Sequence, residues 1–288
     1  MKLVLTILLL SAMTGFGDER DVPYVESPAS EQRFDIFWPT GVPKATVLFI
    51  HGGSLNEGGE RRSSPAYRNV CKPFVAAGIA CASMDYRLFP SNKWPAMPED
   101  VAAAVAALRP RIAERGGDPG RLFVFGHSSG CHLASLVAVD GEYLAKHGLK
   151  RSDIAGVIAM GCTLDRDDAQ VRRLTAGQIR AAFERDAGDV ALYGTPEAYL
   201  KANPASHIGA GVPPTLIVVA EEERFMPPIL EQGARFVRRL LELDVPANLI
   251  IVPGKHMSSI TNVERPGDAT FQAIAAFIDD PRRASAAH

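Results

Sequence analysis

The chain has 288 residues, 47% of them hydrophobic and 22% charged, which is enough for one sizeable α/β domain and short for two full ones. Its 31 basic and 33 acidic residues leave a formal net charge of -2, with no electrostatic footprint for nucleic acid or an anionic membrane. Small or neutral partners are favoured.

The first seventeen residues carry Lys2, an apolar run from Leu3 to Leu10 and small residues up to Gly17, followed by Asp18, Glu19 and Arg20. That is the shape of a secretory signal, predicting a mature domain over 18–288 and a secreted or periplasmic location. A cytoplasmic enzyme with an N-terminal extension is the alternative. The apolar run is too short to span a membrane, so no stable membrane anchor is expected. Strand-length apolar runs then alternate with helical patterns. RFDIFWP (from Arg33) and TVLFIHGG (from Thr46) read as strands, YRNVCKPFVAAG as a helix stopped by Gly78, and IACASMDYR as a strand. PEDVAAAVAALRPRIAERGG reads as a long amphipathic helix, with Pro98 and Glu99 near its start and Gly116 and Gly117 at its stop. A strand LFVFG, a helix from Ser128, the strands IAGVIAMG and TLIVVA, a helix through ILEQGARFVRRLLEL, the strand NLIIVPG and a helix through FQAIAAFI complete the order. Continuous β-branched runs separated by helices predict an α/β fold whose mostly parallel sheet is covered on both faces.

The stretch from about 163 to 207 is too long for an ordinary connection and is expected to form a small cap over the active face. Four scattered cysteines make neither a disulfide scaffold nor a zinc site. Cys71 and Cys81 are placed to bridge if the protein is exported, whereas Cys131 and Cys162, in apolar contexts, read as buried free thiols.

The strand LFVFG runs into G-H-S-S-G and then an apolar helix, which is the strand, turn and helix of a nucleophile elbow, and this singles out Ser128. A helix N-cap is the plainer role for such a serine. A serine hydroxyl needs a base. Among seven histidines, His256 lies on the loop after the last predicted strand, where the order serine, acid, histidine puts the base. His51 reads as organising its loop, His127 fills the elbow's variable position and His132 lies a helical turn beyond Ser128. His207 belongs to the cap's last segment, and His147 and His288 read as surface residues. For the carboxylate that orients the base, IVVAEEERF offers Glu221, Glu222 and Glu223, of which the distance from the strand end favours Glu223, with Asp165 as the alternative. Gly52 and Gly53, after another strand, leave backbone bare, so that amides there can converge with that of Ser129 on a developing oxyanion.

These motifs resemble the α/β-hydrolase fold, and within it the esterase/lipase branch related to hormone-sensitive lipase and to xylan-acting and formamidase-like carboxylesterases. The matching landmarks are HGGS at 51–54, DYRLFP at 85–90, WPAMPEDV at 94–101, GGDPGRLFVFGHSSGCHLA at 116–134 and NPASHI at 203–208. The resemblance implies an eight-stranded sheet, a triad of Ser128, Glu223 and His256, and an oxyanion hole formed by the amides of Gly53, Ser54 and Ser129. It assigns Asp85, Arg87 and Asp100 structural roles. Ser54 stands where the lipase branch has a third glycine, Leu55 where an aromatic residue is common, and Glu223 where aspartate is usual. The implied activity is hydrolysis of short, water-soluble esters, acetyl or feruloyl esters of plant sugars among them, without metal or organic cofactor. An arylformamidase-like amide hydrolase is the alternative reading of the same site. A catalytically silent hydrolase-fold binding protein is the alternative of another class.

Overall fold

A computed structural model describes residues 17–165, 187–225, 227–265 and 267–282 of the protein. Residues 1–16 of the expected signal, 166–186 of the expected cap and His288 lie outside them. Among the described residues eight strands form one sheet: β1 Glu19–Pro23, β2 Arg33–Phe37, β3 Thr46–Ile50, β4 Ala80–Met84, β5 Leu122–His127, β6 Gly156–Met160, β7 Thr215–Ala220 and β8 Ala247–Val252. Their spatial order is β1-β2-β4-β3-β5-β6-β7-β8. Only the β1–β2 and β2–β4 pairs are antiparallel.

Strands β3, β4, β5, β6 and β7 are buried along their whole length, as their unbroken apolar runs require. Alternation divides their side chains between two cores. Leu48, Ile50, Leu122 and Val124 face the layer of α2 (Ala96–Glu114), α3 (Ser129–Val139) and, further along, α7 (Pro227–Leu241). Val47, Phe49, Phe123 and Phe125 face the layer of α1 (Cys71–Ala76), α8 (His256–Val263) and α9 (Ala269–Asp279). Helix α2 ends as its glycine pair predicts. Gly116, at φ 73°, donates to the Ala113 carbonyl and Gly117 donates to that of Ile112, the two bonds of a Schellman stop. Helix α4 (Gly141–Ala145) precedes β6, and the described part of the insertion holds α5 (Ala187–Tyr193) and α6 (Pro196–Lys201). Its last segment returns to the core through buried Asn203, Pro204 and Ala205, with the Ala205 amide donating to the Leu164 carbonyl.

Three features depart from the sequence expectations. Strand β1 has no apolar alternation and is held by charge instead: Glu19 accepts from Trp38, Arg111 and Arg115. The helix expected from Tyr67 onward is confined to α1, because turns occupy the chain up to Val70. Cys131 and Cys162 are not free thiols, since each is half of a disulfide with Cα atoms 5.9 Å apart. The parallel pairing of β5 with β6 brings the start of α3 beside the chain leaving β6, a proximity that a separation of 31 residues hides. Cys71 and Cys81 are bridged, as their placement allowed.

Candidate active site

The turn at Ser128 is dictated by sterics. Its backbone sits at φ 55° and ψ -126°, between the last residue of β5 and the first of α3. A Cβ on Gly126 would lie 2.1 Å from the Gly130 carbonyl oxygen, and one on Gly130 would lie 2.1 Å from that of Ile50. Neither position can carry a side chain, and this explains the G-x-S-x-G spacing. The Ser128 amide donates to the Met160 carbonyl at 2.9 Å, fastening the turn to β6. Ser128 and Ser129 remain partly exposed at the head of α3, where the first-turn amides have no intrahelical acceptor.

The acid and the histidine meet beside this turn. After β7 a short 3-10 turn, Glu221–Phe225, leaves Glu221 and Glu222 in solvent and buries Glu223. One Glu223 oxygen accepts from the Ala220 amide at 2.8 Å, and the other accepts from Nδ1 of His256. Burial alone would raise the Glu223 carboxyl, but its hydrogen bonds to His256 and Ala220 outweigh that and hold it below the ordinary carboxylate range. With its proton on Nδ1, His256 keeps the Nε2 lone pair free to take a proton. His256 is the first residue of α8 rather than part of a loop, a helix that the polar run after Gly254 concealed.

Two further residues complete the surroundings, and sequence reasoning passed over both. Gly161, at φ 66°, follows β6 so closely against the pair that a Cβ there would lie 2.9 Å from Glu223 Oε1 and 3.1 Å from His256 Nδ1. Buried Tyr67 donates to His127 Nδ1 at 2.8 Å, while His127 Nε2 donates to the main-chain carbonyl of His256 at 3.0 Å. The rings of His127 and His256 are 4.6 Å apart. Because Nε2 faces a carbonyl, it must carry the proton, and Nδ1 is then the acceptor for the tyrosine. Burial, with His256 adding to it, pushes protonation of His127 down to about 3. The Gly-x-Ser-x-Gly pattern marks His127 only as a variable position, and nothing in the sequence near Tyr67 marks that residue.

The loop after β3 runs against the Ser128 turn. A Cβ on Gly52 would lie 2.9 Å from Ser128 Cβ and 3.1 Å from the His127 carbonyl oxygen. Gly53 has φ 111°, and Ser54 and Leu55 follow in the left-handed region at 57° and 60°. Ser54 thus adopts the conformation that the family's third glycine would adopt without strain. Behind the loop, Asp85 accepts from the Arg62 amide and side chain and faces His51 Nε2 at 3.3 Å, and the His51 ring stacks on Tyr86. Arg87 and Asp100 form the structural pair expected of them: Asp100 is buried and accepts from the Arg87 guanidinium, the Arg87 amide and Gln32.

The remaining candidates serve elsewhere. Asp165 pairs with Arg235 on α7 at 3.3 Å, leaving Glu223 as the carboxylate on His256. His132 packs against Trp94, His207 bonds the Lys201 carbonyl, and His147 is exposed. Among the described residues no cluster of three or more histidine, cysteine or acidic side chains is arranged to hold a metal ion.

Comparison with known proteins identifies the family and the fold. Esterase LipC of Mycobacterium tuberculosis is 30% identical over 93% of this chain and 66% of its own length. The chain spans about two thirds of the length of LipC and about half that of two further curated relatives, LipM and LipQ of the same organism. A butyrate-bound esterase of Thermogutta terrifontis superposes with a TM-score of 0.70 at 21% identity, covering 93% of this chain and 95% of its own. A truncated carbohydrate esterase from gut microbiota superposes at 0.67 and 18% identity, covering 94% and 98%. Both structures share the fold, that of the α/β-hydrolase esterases. The BD-FAE family model matches residues 34–240, most of the chain, and the protein belongs to that family.

Proposed function

We propose that the protein is a serine carboxylesterase. The observation that carries this reading is the buried Glu223 carboxylate on Nδ1 of His256, whose main chain and ring contact His127 in the turn that holds Ser128 at φ 55°. His256 Nε2 takes the Ser128 proton as the hydroxyl attacks the ester carbonyl, and Glu223 stabilises the imidazolium. The amides of Gly53, Ser54 and Ser129 receive the oxyanion, where one donor is worth roughly 3 kcal/mol in the transition state. The imidazolium then protonates the leaving alcohol. Water, activated by the same histidine, hydrolyses the acyl-enzyme and restores Ser128.

The substrates we propose are short, water-soluble esters, with acetyl and feruloyl esters of sugars first among them. The His256 side chain is more than a third exposed, so an ester reaches it from solvent. We also propose export. Two disulfides suit an oxidising compartment, and cleavage near Gly17 would leave β1, which starts at Glu19, whole. The test is hydrolysis of p-nitrophenyl esters from acetate to palmitate by the wild type and by Ser128→Ala. Activity concentrated at short chains and lost in the variant is expected. Activity that survives without Ser128 refutes the serine mechanism.

A further inference from the structure

The nucleophile and the base belong to distant parts of the chain, so something must hold their backbones in register. Glu223 fixes the His256 ring at Nδ1 but has no hold on its main chain. That main chain follows Gly254, at φ 110°, and is flanked by exposed Lys255 and Met257. On the other side stands the elbow, buried in the middle of the sheet. Locally the Ser259 hydroxyl donates to the His256 carbonyl and the Glu222 amide to that of Gly254, and the bond that reaches across from the elbow is that of His127 Nε2 to the His256 carbonyl.

We propose that His127 is a positioning residue for catalysis, tying the base to the nucleophile's turn, and that Tyr67 holds its ring in place through Nδ1. This rests on the serine esterase reading. His127 adjoins Ser128 in the chain, so a bond from its ring to the His256 backbone references the base directly to the nucleophile. Tyr67 carries the same reference to the oxyanion loop, because its hydroxyl lies 2.6 Å from the position a Cβ on Gly52 would take. One connected path, Gly52, Tyr67, His127 and His256, thus spans the three parts of the site. A neutral donor suits the place. A lysine or arginine 4.6 Å from the His256 ring would oppose the imidazolium that forms during the reaction. Displacement of a reacting group by about 1 Å is enough to cost about a hundredfold in rate.

The two amide side chains separate this role from packing. Glutamine at 127 puts an amide nitrogen near the place of Nε2, whereas asparagine reaches only the place of Nδ1. Steady-state kinetics on p-nitrophenyl acetate, with thermal melts as a check on folding, are compared for the wild type, His127→Gln, His127→Asn, Tyr67→Phe and Ser128→Ala. His127→Gln is expected to keep kcat within about threefold, His127→Asn to lose about 10- to 100-fold, and Tyr67→Phe about three- to tenfold, all with KM nearly unchanged. If His127→Asn does not fold, the glutamine and Tyr67→Phe variants carry the comparison. Equal losses in His127→Gln and His127→Asn, a loss expressed in KM, or an unaltered kcat in Tyr67→Phe overturns the positioning role. Activity that persists in Ser128→Ala overturns the esterase reading beneath it, and the positioning role falls with it.

Discussion

The Ser128 turn and the start of the His256 helix achieve precision by different means. Strand β5, which delivers Ser128, runs through the interior of the sheet with all six residues buried. Strand β8, which delivers His256, is the sheet's edge, and its Ile251 is 47% exposed. At the elbow, carbonyl oxygens about 2 Å from where side chains would begin leave the backbone one path. At the base, hydrogen bonds do the holding: His256 Nδ1 donates to Glu223, His127 Nε2 donates to the His256 carbonyl and the Glu222 amide donates to the Gly254 carbonyl. A steric constraint is written into a local glycine spacing, while a constraint made of long-range hydrogen bonds leaves no local pattern.

The sharpest way to break the second region is to remove its acid. Glu223→Gln is expected to lower kcat by about 10³- to 10⁴-fold with little change in KM, because the amide no longer fixes the tautomer or stabilises the imidazolium. Exposed Glu222, 3.9 Å from Lys255, should be replaceable by glutamine with kcat within about twofold. Steady-state kinetics on one short ester separates the two.

The contrast in sterics predicts unequal glycine substitutions. Gly126→Ala forces a Cβ onto backbone and should destabilise the fold by at least about 3 kcal/mol in urea denaturation. Gly254→Ala meets the movable hydroxyl of Ser258, so its cost should be nearer about 1–2 kcal/mol, mostly from its φ of 110°. Equal costs would erase the distinction between the two regions. The disulfides come next. Removing Cys131–Cys162, which closes 31 residues beside the nucleophile, should cost about 3–4 kcal/mol, against about 2–3 for Cys71–Cys81, which closes 10. Denaturation of the paired cysteine-to-alanine variants measures both.

The smallest effect per step is a pH slope. In the unfolded chain His127 takes a proton near its ordinary 6.5, whereas in the native protein it does so only near 3. Between those values the unfolded state binds the extra proton, so stability is full above about pH 6.5 and declines as the pH falls. The slope is about 1.4 kcal/mol per pH unit for one proton. Glu223, held below its usual range, adds to the loss as the pH falls towards its native protonation. His127→Gln should flatten the decline of the denaturation midpoint between pH 6 and pH 4 (the window is set by the His127 shift), and an unchanged slope would place the proton uptake elsewhere.

What the sequence revealed follows the same division. Seven of the strands showed as strand-length apolar or alternating runs, five of them unbroken because both of their faces are buried, and the elbow showed as glycines two positions either side of Ser128. Strand β1 did not, because salt bridges to Glu19 rather than apolar packing hold it. The helix beginning at His256 did not, since its start is polar and its cap comes from Lys255 and Ser258. The Cys131–Cys162 bridge, Gly161 against the acid and base, and Tyr67 behind His127 all depend on the adjacency of strands far apart in the chain. Glu223 was favoured over Glu221 and Glu222 by its distance from the strand end, and the 3-10 turn gives the reason, burying Glu223 and leaving the other two in solvent.

The central claim is that Ser128 is the nucleophile and that Glu223 and His256 activate it. It is tested most directly by a p-nitrophenyl alkylphosphonate, which forms a stable adduct with an activated serine and releases nitrophenolate. The account predicts one equivalent released per chain, one adduct by intact mass, its position at Ser128 in the fragment spectrum, and labelling slowed by Glu223→Gln. No release, or an adduct on any other residue, would contradict it.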